Sequence, residues 1–182
     1  YMKKLFLILL MAFAAIMPTQ AQMVNPVEWE FSIQDVNETE FDVVATATLD
    51  PEYHIYSTKM PALGPLPTIF EFEKSDDFEV VGESRDVTEG ELFYDDIFEV
   101  EYVQFKGKAI YAQRLKRLTD SAFKVIGTVS GQACKDGMCV PVSGDFDLVV
   151  PGANGETLAE AAIPPTDNND ATTETEEKQA VL

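Results

Sequence analysis

The chain has 182 residues and a formal net charge of −19, with 13 basic against 32 acidic side chains. That acidity argues for solubility and against nucleic acid or an anionic membrane surface as a partner, because both repel such a surface. With 46% apolar residues, the chain can still bury the core of one ordinary domain.

Tyr1 precedes Met2, after which Lys3 and Lys4 lead into the apolar run Leu5 to Met17 and then Pro18-Thr19-Gln20-Ala21. These are the charged, greasy and small-residue parts of a secretory signal peptide, and we place cleavage after Ala21 (residues 1–21). The run is short of the roughly 20 apolar residues that span a bilayer. No cysteine lies near the cleavage region, so a lipid anchor is not expected there. Removing the leader takes Lys3 and Lys4 with it and makes the remainder more acidic still. Export also places the cysteines in an oxidising compartment, where a bond between them persists unless electrons are delivered to it.

Residues 22–151 form the expected domain, and strand signals recur through it about every ten residues. Val27, Trp29, Phe31 and Ile33 alternate with polar neighbours, as do Phe41, Val43, Ala45 and Ala47 up to Leu49. Asp50-Pro51 interrupts the pattern and His54 to Ser57 resumes it, before Pro61, Gly64, Pro65 and Pro67 impose a long irregular crossing. Further strands are expected at Thr68 to Lys74, Phe78 to Gly82, Phe98 to Phe105, Ala109 to Leu115, Phe123 to Ser130 and Asp145 to Val150. Eight to ten short strands with almost no helical period imply an all-β, immunoglobulin-like β-sandwich whose strand order the period leaves open. Trp29, Phe70, Phe72 and Phe123 read as core. Phe93-Tyr94 reads differently, because the pair sits in the charged stretch Thr88 to Asp96, either folded onto something apolar or exposed for a partner.

His54 is the only histidine. A lone histidine excludes a two-histidine, one-cysteine copper centre and leaves no ligand set for a standard zinc site, so no metal and no cofactor are expected. Cys134, Cys139 and Met138 would suit only a soft Cu(I) ion, which leaves a Cu(I) chaperone as a further alternative reading. Asn37-Glu38-Thr39 matches the glycosylation triplet, which is common by chance. Residues 152–182 carry Pro164-Pro165, Asn168-Asn169 and the acidic Glu174, Glu176 and Glu177, the composition of a disordered linker or tail, with a helical turn expected at Thr157 to Ala162.

The two cysteines, Cys134 and Cys139, bracket Lys135-Asp136-Gly137-Met138. Asp-Gly between strand-like runs signals a tight hairpin that would set the thiols on facing strands, within disulfide range. Such a bond is either a structural staple in a non-catalytic binding module or an exchangeable redox pair. Closing so short a loop removes only about 2 kcal/mol of unfolded-chain entropy, which is little for a staple. Exchange requires only a thiolate, an accessible sulfur and a leaving sulfur.

Three segments carry a resemblance. The hairpin Gln132 to Pro141, the strand Tyr53-His54-Ile55-Tyr56-Ser57 followed by a Gly/Pro crossing, and the loop Glu91-Leu92-Phe93-Tyr94 together resemble the N-terminal periplasmic domain of the thiol:disulfide interchange protein DsbD. The resemblance implies an immunoglobulin-like fold and a periplasmic protein-disulfide reductase. Electrons would arrive from a thioredoxin-like donor domain fed by a membrane-embedded one. They would pass to thioredoxin-fold partners such as disulfide isomerases and cytochrome c maturation factors. It implies that Cys139 forms the mixed disulfide, that Cys134 resolves it, that Phe93 with Tyr94 caps the pair, and that His54 and Tyr56 line the site. Many members of that family have one more residue between the cysteines and a second proline where Val142 stands here.

Overall fold

The computed structural model describes residues 25–96 and 99–158. The leader, nearly all of the acidic tail and Phe98 lie outside the described residues, and the turn expected at Thr157 to Ala162 lies mostly outside them.

Among the described residues ten strands follow in chain order: β1 Val27–Asp35, β2 Glu40–Leu49, β3 His54–Tyr56, β4 Ile69–Phe72, β5 Phe78–Asp86, β6 Glu91–Asp95, β7 Val100–Lys106, β8 Lys108–Arg117, β9 Phe123–Lys135 and β10 Met138–Val150. They build two antiparallel sheets. One has the order β1-β2-β8-β5; the other runs β10-β9-β3-β7-β6, with β4 also paired to β9. The long β9 therefore carries two short neighbours on one side. Its Cys134 end pairs with β3, and its stretch from Gly127 to Ser130 pairs with β4.

The all-β sandwich is thus as the alternating pattern implies. Phe41, Val43, Ala45 and Leu115 of the first sheet meet Phe123, Val125, Val129 and Phe146 of the second, while Ile55, Phe105, Ala133 and Val142 continue the core towards the cysteine end. Phe123 is fully inside; Trp29, Phe70 and Phe72 are partly buried against it. Burying side chains of this size contributes about 1.5–3 kcal/mol each.

Three segments differ from the sequence-based expectation. The charged stretch around Phe93 is a strand, β6, paired in register with β7. Strand β5 continues past Gly82 to Asp86 through a bulge between Val81 and Arg85. Finally, β9 and β10 run without interruption into the hairpin, at 13 residues each.

Candidate functional site

Strand alternation decides which way the cysteines face. Along β9 the residues Phe123, Val125, Val129 and Ala133 point into the core, so Cys134 points outward, and its partner Cys139 does the same from β10. The two are directly opposed in register, with Cα atoms 4.1 Å apart, and are joined as a disulfide. The turn between the strands is Asp136-Gly137, with φ of 50° and 76°. Two successive positive φ values are what a two-residue turn needs to match the twist of its strands, and glycine adopts its value without penalty.

The same registers extend the row across the sheet. His54 of β3 faces Cys134, and Lys106 of β7 faces His54. One pleat along, Tyr56 faces Gln104, which faces Glu91; beyond that, Tyr102 faces Phe93. Directly opposed residues share a face. Five of the sequence-selected residues, Cys134, Cys139, His54, Tyr56 and Phe93, therefore meet on the outer face of one sheet. Tyr94 does not, because it alternates to the opposite face of β6 and is exposed.

On this outer face a small second core excludes water. Tyr56, Tyr102 and Cys134 form a buried cluster, with Met60 and Val100 packed against it. The rings of Tyr56 and Tyr102 meet edge to face at 5.4 Å, and Phe93 lies over Tyr102 with centroids also 5.4 Å apart. Cys134 is 2% exposed as a result. Cys139, on the next strand, is exposed. An apolar groove of about 870 Å³ begins at Val140, the residue after Cys139, and runs between Leu66, Pro67 and Ile69 on one side and Val140, Pro141 and Val142 on the other.

Polar contacts fix the aromatic residues. His54 Nε2 lies 2.9 Å from Tyr56 Oη, and the rings stand perpendicular. The Tyr56 carbonyl accepts hydrogen bonds from Thr68 Oγ1 at 2.7 Å and from Tyr111 Oη at 3.0 Å. Burial, with the Lys106 charge beside it, holds the His54 pKa below the ordinary imidazole value of 6.5. Burial, then Tyr102 and Asp95, pushes the Tyr56 hydroxyl well above its usual range, so it keeps its proton.

Lys135 does not turn its charge on the sulfurs. It belongs to the opposite pleat, where its ammonium pairs with Glu52 and sits 6.0 Å from the centre of the Tyr53 ring. Met138 also alternates away from the disulfide face and is exposed, so the Cu(I) donor set Cys134, Cys139 and Met138 does not converge. Among the described residues no group of three or more His, Cys, Asp or Glu side chains is placed to hold a metal ion. Sequence reasoning passed over Tyr102, Lys106 and Met60. The alternation of Tyr102, Gln104 and Lys106 against Val103 and Phe105 was the available signal for the first two; Met60, in the irregular crossing, has none.

No curated protein matches the chain. Among solved structures, the N-terminal domain of Neisseria meningitidis DsbD in the reduced form is 17% identical, with a TM-score of 0.43 over 76% of this chain and 94% of that one. A structure of the complex between the DsbD N-terminal and PilB N-terminal domains of the same organism matches at 16% identity and a TM-score of 0.44, over 75% and 90%. The N-terminal periplasmic domain of ScsB from Proteus mirabilis matches at 14% and 0.48, over 80% of this chain and 52% of that one. The family model of the N-terminal domain of the thiol:disulfide interchange protein DsbD matches residues 20–151, which hold the whole sandwich and both cysteines. The chain belongs to that family, and its coarse role is that of a thiol:disulfide interchange component.

Proposed function

We propose that this domain works in the periplasm as a protein-disulfide reductase, taking electrons from a thioredoxin-like donor and passing them to thioredoxin-fold partners through a mixed disulfide at Cys139. The observation that carries the reading is the inequality of the two sulfurs' residues: Cys139 is exposed while Cys134 is 2% exposed. Exchange needs one sulfur within reach of a partner and a second held ready behind it. In the reduced domain, Cys139 attacks the partner's disulfide, and Cys134 then displaces the partner as a dithiol. In the opposite half-cycle, the donor's thiolate attacks Cys139 and Cys134 leaves.

The surroundings support the same assignment. An apolar groove that begins at Val140, one residue after Cys139, suits a protein partner better than a small thiol. Phe93, against Tyr102, is the capping aromatic over the Cys134 side of the pair between encounters, and His54 and Tyr56 line its floor. A staple is the weaker account, since β9 and β10 are already paired over their full length and a tie between them adds little order.

The test is a Cys134→Ser variant mixed with a thioredoxin-like protein in its disulfide form. A covalent adduct at Cys139 that dithiothreitol releases is expected. Absence of the adduct, together with a wild-type bond that resists a reduced thioredoxin-like protein under native conditions, would overturn the reading.

A further inference from the structure

Resolution of the mixed disulfide presents a proton problem. A thiol as buried as Cys134 resists ionisation, yet only its thiolate attacks. Lys135, the nearest cation in sequence, is committed to Glu52 on the other face of the sheet. What stands opposite Cys134 in register is His54. The Tyr56 side chain starts two residues along β3, yet its hydroxyl reaches back to His54 Nε2 at 2.9 Å while its ring packs in the cluster with Cys134. The hydroxyl is thus drawn into the row that holds His54 and Cys134.

We propose that His54, acting through the Tyr56 hydroxyl, is the proton acceptor that lets buried Cys134 attack the mixed disulfide at Cys139; this rests on the exchange reading above. The Cys134 S–H proton passes to Tyr56 Oη as the Tyr56 proton passes to His54 Nε2. The sulfur's electron pair forms the Cys134–Cys139 bond, the bond from Cys139 to the partner's sulfur breaks, and its electron pair leaves on that sulfur. Over this half-cycle the pair is oxidised by two electrons and the partner's disulfide is reduced by two, and the donor restores the pair in the other half. The imidazolium then returns its proton to the departing thiolate or to water. His54 is suited to this because it is neutral at physiological pH. Facing it are Tyr56 on its own strand, Cys134 from β9, and Lys106 from β7, which is ion-paired with Glu91 of β6 at 3.1 Å; Tyr102 and Asp95 lie further along the same face.

The experiment is stopped-flow reaction of the fully reduced chain with one equivalent of dithiobis(nitrobenzoate) across roughly pH 5 to 9. The coloured thiolate is released first when Cys139 is modified and again when Cys134 closes the bond, so the two steps are read separately. In the wild type the second phase should level off above the His54 pKa. In His54→Gln and in Tyr56→Phe, the ratio of second to first rate constant at neutral pH should fall by at least about tenfold, and the second phase should climb with pH instead of levelling. Lys106→Met keeps His54 in place and should move the inflection to higher pH, a shift that a purely structural role would not produce. A second phase in His54→Gln with its ratio and its levelling both intact overturns the inference and leaves the exchange reading standing. A wild-type chain that releases no thiolate overturns both.

Discussion

The rings of Phe93 and Tyr102 meet at a tilt of 37° with centroids 5.4 Å apart, at directly opposed positions of the β6–β7 pair, and Tyr102 in turn packs with Tyr56 and Cys134. Phe93 is itself 42% exposed. It is the outermost layer of a stack whose innermost member is a sulfur. Removing that layer opens the cluster without touching the sandwich core. In Phe93→Ala, small oxidants should oxidise the reduced pair faster, by roughly tenfold on the scale of one lost ring contact of about 1.4 kcal/mol. Global stability should change by less than about 1 kcal/mol. The measurement is oxidation by hydrogen peroxide beside a urea melt. An unchanged oxidation rate removes the cap from the mechanism. Tyr94→Ala should have no such effect, because Tyr94 leaves β6 on the other side.

The Tyr56 carbonyl joins the site to the core, since it accepts from Thr68 and from Tyr111, a residue of the other sheet. Tyr111→Phe and Thr68→Val should each cost about 1 kcal/mol, as each removes one of two buried side-chain hydrogen bonds to the same oxygen. The double variant should cost more than the sum, because that oxygen then loses both. Denaturant titrations of the four proteins measure this coupling, and strict additivity would contradict it.

Much of this arrangement was open to reading in the sequence, and the exceptions have physical causes. Strands β1 and β2 announced themselves because one face of each is buried, which enforces alternation. Strand β6 did not, since it lies at the edge of its sheet and four of its five residues are exposed. The full lengths of β9 and β10 were obscured by Gly131, Pro141 and Gly144, which read as breaks. In the fold they are sites where another chain segment lies close or where a strand edge is free. The cysteine hairpin was legible from Asp136-Gly137 and the spacing alone. The row from Cys139 through Cys134 and His54 to Lys106 was not, because it depends on β3 lying between β9 and β7, and no local pattern sets that order.

Gly127 shows how close the approach is. A Cβ there would lie 2.3 Å from the Glu71 carbonyl oxygen of β4 and 2.6 Å from the Phe146 ring. The ring has some freedom to turn, but the carbonyl belongs to a paired strand. Gly127→Ala should therefore force β4 away from β9 and cost about 1–3 kcal/mol. Hydrogen exchange should locate the loss in β4, with the β3–β9 ladder beside the disulfide retained. A loss spread evenly over both ladders would contradict this.

Asp42 presents a different kind of constraint, a carboxylate 3% exposed between two guanidinium groups. Arg114 Nε donates to it at 2.6 Å, and Arg85 Nη2 donates to its other oxygen. Burial by itself would raise its pKa, but the combined hydrogen bonds and charges of Arg114 and Arg85 outweigh that and hold it below 3.8. A carboxylate depressed in the folded state stabilises the fold at pH values above its unfolded pKa. That contribution is lost as pH falls through the folded value. Asp42→Asn should therefore destabilise the domain at pH 7 by about 2–3 kcal/mol, since it leaves two partly covered guanidinium groups facing a neutral amide. The gap between the two proteins should narrow progressively below about pH 4, where Asp42 of the unfolded wild-type chain takes up its proton before the folded one does. Urea midpoints for both proteins at neutral pH and near pH 3 measure this. A penalty of equal size at both values would mean that the cost is one of shape and not of charge.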